Sequence, residues 1–226
     1  MVGTFITFEG CDGSGKTTQV QRLAGLMRSE GYEVVTTREP GGTPGADAVR
    51  HVVLSGAAQS LGPNIEAVLF AAARADHLSQ VIRPALEREA IVICDRFHDS
   101  TRVYQMGADE TDQAFLARLE AATLDGVFPD LTIILDVPAE LGVERARARR
   151  SASAADRFEG EEAEVHRKRR DRFLSIAENE PERCVVIDGR GDEEEIMEDI
   201  VAVIEDRLGI VLTTGGTGTA TDAGSA

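Results

Sequence analysis

The chain has 226 residues, 40 acidic against 24 basic side chains, a formal charge of −16 and a pI near 4.7. The length suits one domain with a full core, the charge disfavours non-specific nucleic-acid binding, and no apolar run is long enough for a membrane-spanning helix. The start lacks a charged stretch followed by an apolar one, so no signal peptide is expected; Cys11, Cys94 and Cys184 have no metal spacing and read as the reduced thiols of a cytoplasmic protein.

The first predicted strand, Thr4–Glu9, runs into GCDGSGKT at residues 10–17. The pattern G-x-x-x-x-G-K-[ST] between a strand and a helix is a phosphate-cradling P-loop. Its glycines let the backbone curl around an anion, and the helix N-terminus adds positive potential. Gly10, Cys11, Asp12, Gly13, Ser14, Gly15, Lys16, Thr17 and Thr18 form the expected ATP-binding stretch. Lys16 reaches the β- and γ-phosphates, and Thr17 is a candidate Mg²⁺ ligand. Asp12 is the odd member, a carboxylate placed where an anion should bind. The dinucleotide pattern G-x-G-x-x-G is absent.

A helix is predicted over 16–30, stopped by Gly31, then a strand over 33–37. TREPGG follows, where Pro40 and Gly41-Gly42 demand a tight turn. Helices over 46–54, which carries Arg50, and 64–89 precede a strand over 90–95. In IVICDRF, residues 91–97, an apolar strand ends on Asp95, a candidate Mg²⁺ ligand, with Arg96 beside it as a candidate phosphate ligand. A helix over 112–124 and a strand over 131–137 come next.

The helix over 139–149 ends in ERARARR, with Arg145 and Arg149 on one face. Small residues 151–155 and then Asp156-Arg157 follow. A mobile arginine-bearing stretch over about 145–160 fits a lid that closes over phosphates and excludes water. A helix over 161–179, the strand Cys184–Asp188 and a helix over 193–208 complete the pattern. Residues 209–226, rich in Gly and Thr, are expected to be a disordered tail. Five strands with helical crossovers imply an α/β fold, a parallel sheet covered on both faces, with ligands at the carboxyl ends of the strands.

His51, His77, His98 and His166 are scattered, and none is expected to bind metal or act as a base. Lys16 and Lys168 are the only lysines, so 22 cations are arginines. A lysine-poor acidic surface fits either a salt-rich cytoplasm or a GC-rich genome.

FEGCDGSGKTT, TREPGGT, FAAARADH, DRFHDSTRVYQ, FPDLTIILDV, ERARAR and DRFE, in that order over about residues 4–208, resemble thymidylate kinase of the bacterial and archaeal kind. The resemblance implies the three-layer P-loop kinase fold with sheet order 2-3-1-4-5, transfer of the γ-phosphoryl group of ATP to dTMP with Mg²⁺, and a homodimer. It gives Asp12 a hydroxyl partner, the acceptor's 3′-OH. Phe70 matches the aromatic that stacks on thymine, and Arg74 the contact to its O4. Arg50 and Arg96 match the clamp on the dTMP phosphate. Ser100, Thr101, Tyr104 and Gln105 match the segment beside sugar and base, and Glu39 the acidic residue of its loop. A P-loop without arginine beside an arginine-rich lid resembles the subtype in which the lid supplies the transition-state cation. Lys16, Arg96, Arg149, Arg150 and Arg157 are therefore the expected catalytic residues, with Arg145 near ATP. The alternatives are another nucleoside monophosphate kinase or a P-loop ATPase switch of the partitioning type. The latter would lack a monophosphate pocket. A regulatory GTPase would need N-K-x-D, which is missing.

Overall fold

Five strands, β1 (Thr4–Glu9), β2 (Val34–Arg38), β3 (Ile91–Asp95), β4 (Leu131–Asp136) and β5 (Cys184–Asp188), make one parallel sheet in the order β2-β3-β1-β4-β5. The computed structural model describes residues 3–105, 113–149 and 163–213. The three inner strands, β3, β1 and β4, are almost wholly buried, as expected of strands covered on both faces. β2 and β5 lie at the edges and are only partly covered.

On one face α1 (Lys16–Ser29) and α9 (Glu193–Leu208) bury Val20, Leu23, Met27, Ile200 and Ile204 against Ile6, Phe8, Ile93 and Ile133. On the other, Leu78, Ile82 and Leu86 pack with Phe5, Val92 and Phe97. A smaller cluster seats α8 (Ala163–Asn179) through Phe173 and Ala177 against Ile134 and Cys184. Local signals set the ends. Asp192 and Glu195 form a reciprocal capping box at the start of α9, and left-handed Gly209 ends it. Thr43 caps α2 (Pro44–Leu54) by accepting from the Ala46 N–H at 3.0 Å.

Three expectations change. The helix expected over 64–89 is broken into α3 (Pro63–His77), a π turn (Leu78–Ile82) and α4 (Arg83–Glu87). Pro84 has no N–H to give the Gln80 carbonyl and crowds it, so the preceding turn widens. A helix absent from the sequence reading, α5 (His98–Tyr104), follows Arg96 directly. The packed chain also outlasts the boundary placed at 208. Leu212 is buried and Ile210 lies against the same core, so residues 209–213 are not a loose tail. The rest of that tail lies outside the described residues. The remaining helices are α6 (Gln113–Leu124) and α7 (Ala139–Arg149).

Candidate active site

The carboxyl ends of β1, β2 and β3 open into a cavity of about 500 Å³. One wall is the P-loop. Gly10, Gly13 and Gly15 have φ of 129°, 79° and 96°, left-handed values that side chains resist. At Gly13 there is no room either, since a Cβ would overlap the Gly142 carbonyl of α7. Gly15 caps α1 without a side-chain bond, so first-turn N–H groups stay open to an anion. These features fit a polyphosphate.

Lys16 is buried, and its Nζ donates to the Gly10 and Cys11 carbonyls at 3.0 and 2.8 Å and to Ser14 Oγ at 3.3 Å. Burial, then the nearby Arg96 charge, depresses its ammonium to about 8, while Asp95 and Asp12 oppose the shift. It remains a cation at neutral pH. Thr17 Oγ1 donates to Asp95 Oδ2 at 2.5 Å. A hydroxyl and a carboxylate at the cavity wall are the hard oxygen donors Mg²⁺ takes, with phosphate oxygens and water completing its shell. Among the described residues no cluster of three His, Cys, Asp or Glu could hold a metal alone.

The opposite wall is made of charged side chains. Arg96 adopts φ 70°, a left-handed conformation that costs a non-glycine residue about 1–2 kcal/mol. Its guanidinium donates to Asp12 Oδ1 at 2.5 Å, to the Gly10 carbonyl at 3.2 Å, to Ser100 Oγ at 3.0 Å and to Tyr104 OH at 3.3 Å. Tyr104 OH in turn donates to Asp12 Oδ2 at 3.1 Å. Burial would raise the Asp12 carboxyl, but Arg96 and Lys16, helped by the tyrosine, hold it well below the usual carboxylate range. The carboxylate in an anion-binding loop is therefore matched by Arg96 on the facing wall and by Lys16 of its own loop.

The loop after β2 completes the cavity. Glu39, buried, accepts from Arg74 Nε at 2.8 Å and bonds His77 Nδ1 at 3.1 Å, and His77 Nε2 meets Thr37 Oγ1 at 2.6 Å. Arg74 also donates to Thr101 Oγ1 at 2.9 Å and lies 5.4 Å from the Phe97 ring centre. Thr43 Oγ1 donates to Asp76. Gly42, at φ 91°, sits where a Cβ would come within 2.7 Å of the His77 ring, so the loop is pressed onto α3. Arg50 Nη1 donates to the Pro40 carbonyl at 2.9 Å.

Most residues singled out in the sequence line this cavity: Asp12, Gly13, Gly15, Lys16, Thr17, Glu39, Arg50, Phe70, Arg74, Asp95, Arg96, Ser100, Thr101, Tyr104 and Gln105. Five do not. Cys11 turns its Sγ toward the His166 carbonyl at 3.7 Å, and Thr18 is exposed on α1. Gly10 and Ser14 serve Lys16 as acceptors. Arg145 donates to the Gly189 and Arg190 carbonyls at 2.8 and 3.4 Å, bracing the turn after β5. Arg149 closes α7, while Arg150 and Arg157 lie outside the described residues. The sequence reading passed over three residues. Arg38 lines the cavity and is findable as a strand-end cation. His77 braces Glu39, and Glu9 lies buried under the α5 wall.

The thymidylate kinase family model matches residues 8–200. The chain is 49% identical over 210 residues to a thymidylate kinase of Afipia carboxidovorans, covering 93% of this chain and 92% of that one. It is 50% identical over 205 residues to one of Nitrobacter winogradskyi, covering 91% and 89%. The crystal structure of thymidylate kinase from Ehrlichia chaffeensis superposes with a TM-score of 0.72 at 35% identity, covering 90% of this chain and all of that one. With the sheet order and the P-loop cavity already in place, the chain belongs to the thymidylate kinase family.

Proposed function

We propose that this chain transfers the γ-phosphoryl group of ATP to dTMP, giving dTDP and ADP, as a homodimer in the cytoplasm. The observation that carries the reading is the joining of two half-sites in one cavity: a P-loop on one wall, and Phe70, Arg74, Arg50 and Arg96 on the other. A P-loop ATPase switch has no use for the second half.

The attacking oxygen belongs to a phosphate whose second pKa is near 6, so it is ionised at neutral pH and no general base is needed. Catalysis is alignment and charge neutralisation. Thr17 and Asp95 would hold Mg²⁺, which when bound would supply charge neutralisation at the donor phosphates. Lys16 places a positive charge on the transferred group. Arg96 and Arg50 orient the acceptor phosphate, and Asp12 accepts from the sugar 3′-OH. Phe70 stacks on the base and Arg74, held by Glu39, faces its polar edge. Arg149, Arg150 and Arg157 are assigned to the transition-state charge by resemblance alone. Val52, Leu61, Ile65 and Val68, exposed apolar side chains on and between α2 and α3, offer a surface for a second copy.

A coupled assay of ADP release against a panel of monophosphates tests the reading. dTMP should be the best acceptor and dUMP weaker, through the lost methyl contact. Equal or better turnover of AMP, GMP or CMP would overturn it, and light scattering would settle the dimer.

A further inference from the structure

Glu9 ends β1 with its side chain fully buried, and none of the roles above uses it. A carboxylate taken out of water is costly unless donors meet its oxygens. Here they do. Oε1 accepts from the Phe97 and Ser100 N–H groups at 2.8 and 3.2 Å, and Oε2 accepts from Ser100 Oγ at 2.7 Å. All three donors belong to the entry of α5. Ser100 Oγ then accepts from Arg96 Nη1 at 3.0 Å, forming a chain from Glu9 through Ser100 to Arg96. The Arg96 N–H is tied to the Phe8 carbonyl at 2.9 Å. The left-handed turn at Arg96 is thus pinned on both sides by neighbouring residues of β1.

We infer that Glu9 is a positioning residue for the acceptor side of the cavity: it fixes the α5 wall and, through Ser100, the Arg96 guanidinium against the P-loop. The inference rests on the reading of Arg96 as a phosphate ligand. The energetics agree. Burial, then the neighbouring Asp99, pushes the Glu9 carboxyl up to about 7, and Arg96, Ser100 and Phe97 pull against them. A neutral side chain would cap the turn without that penalty. Only a carboxylate offers converging acceptors and a negative charge behind a guanidinium.

Steady-state kinetics on Glu9→Gln, Ser100→Ala and the double variant, with dTMP and ATP varied separately, test this. Gln keeps an acceptor for the two N–H groups but can turn its amide toward Ser100 Oγ, so the cap survives and the link to Arg96 is disturbed. Glu9→Gln should raise KM for dTMP about tenfold and leave KM for ATP within about twofold, the scale of one charge-assisted hydrogen bond. Ser100→Ala should give a similar rise, and the double variant should be no worse than the larger single effect. Equal losses toward both substrates, or additive effects in the double variant, would make Glu9 a stability residue and overturn the inference. If Glu9→Gln does not fold, an unchanged KM for dTMP in Ser100→Ala overturns it. Arg96→Ala separates the two readings. An unchanged KM for dTMP there removes the phosphate role itself, whereas a raised KM there with an unchanged one in Glu9→Gln removes Glu9 alone.

Discussion

On the P-loop side of the cavity, shape comes from left-handed glycines at 10, 13 and 15 and from the close approach of Gly13 to Gly142. On the α5 side it comes from side chains that hold one another: Glu9 with Ser100, Ser100 with Arg96, Arg96 with Asp12 and Tyr104. The backbone wall is intolerant of volume at Gly10 and Gly13, where a single added carbon must displace main chain. The side-chain wall is electrically interdependent, so removing one charge alters the bonding of several others. Steric variants should therefore discriminate within the first wall, and charge variants within the second.

The largest effect is expected at the one charged side chain the P-loop contributes to the transferred group. Lys16→Ala should lower kcat roughly 10²–10³-fold while the fold persists, as for removal of one preorganised electrostatic contact. Single-turnover measurement on a variant with native circular dichroism checks it, and near-normal turnover would remove the P-loop wall from the chemistry.

Next comes a comparison inside the same loop. Gly13→Ala meets both a φ of 79° and the Gly142 carbonyl, and should destabilise by about 3 kcal/mol. Gly15→Ala, at φ 96° with nothing within 4 Å of its added carbon, should lose only about 1 kcal/mol. Urea denaturation of both variants sharpens the comparison, and equal losses would mean that strain alone, without the α7 approach, shapes the loop.

On the side-chain wall the test is pH. Glu9 has a folded value of about 7, above the usual carboxylate value of 4.5. The folded state therefore holds an extra proton between those values. Its contribution is fully present below pH 4.5 and lost as pH rises through 7. Glu9→Gln lacks this dependence, so its stability relative to the parent should climb across that window, by about 2–3 kcal/mol at most. Urea midpoints from pH 4.5 to 8 decide it. A difference that stays flat would show that the α5 partners solvate the carboxylate better than burial penalises it.

The smallest expected effect concerns the whole surface. With a net charge of −16, melting temperature should rise by a few degrees between low and molar KCl, where the Debye length falls to about 3 Å. A flat or falling curve would leave base composition as the reason for the scarcity of lysine.

The same division decides what could be read in advance. Short β-rich runs marked all five strands to within a residue at each end, most plainly β3 and β4, because buried parallel strands leave a continuous apolar signature. The P-loop was legible for a related reason: backbone curls demand glycine at fixed spacing. On the side-chain wall the strand-end pattern marked Arg96, but Ser100, Thr101, Tyr104 and Gln105 were legible only through resemblance. Nothing in HDSTRVY has a strong helical period, and α5 exists because Glu9 caps it from another element. Glu9 itself reads as the polar end of a strand, since burial by a partner 88 residues away leaves no local trace. Arg145 belonged to a visible cationic cluster, but its bonds to the carbonyls after β5 are a tertiary outcome. The break at Leu78–Ile82 had a visible cause in Pro84, which a reading by apolar period alone passed over.

The three thiols carry a practical consequence. Cys11, Cys94 and Cys184 are free and buried, and burial pushes the first to about 11 and the last to about 12, with Cys94 well above its ordinary value. Thiol reagents attack the thiolate, so the folded chain should be nearly silent to them. Each cysteine then becomes a stopwatch on its own neighbourhood: Cys11 on the P-loop, Cys94 on the central sheet, Cys184 on the edge strand. Pulse labelling followed by peptide mass analysis would time how often each region opens, without installing a probe.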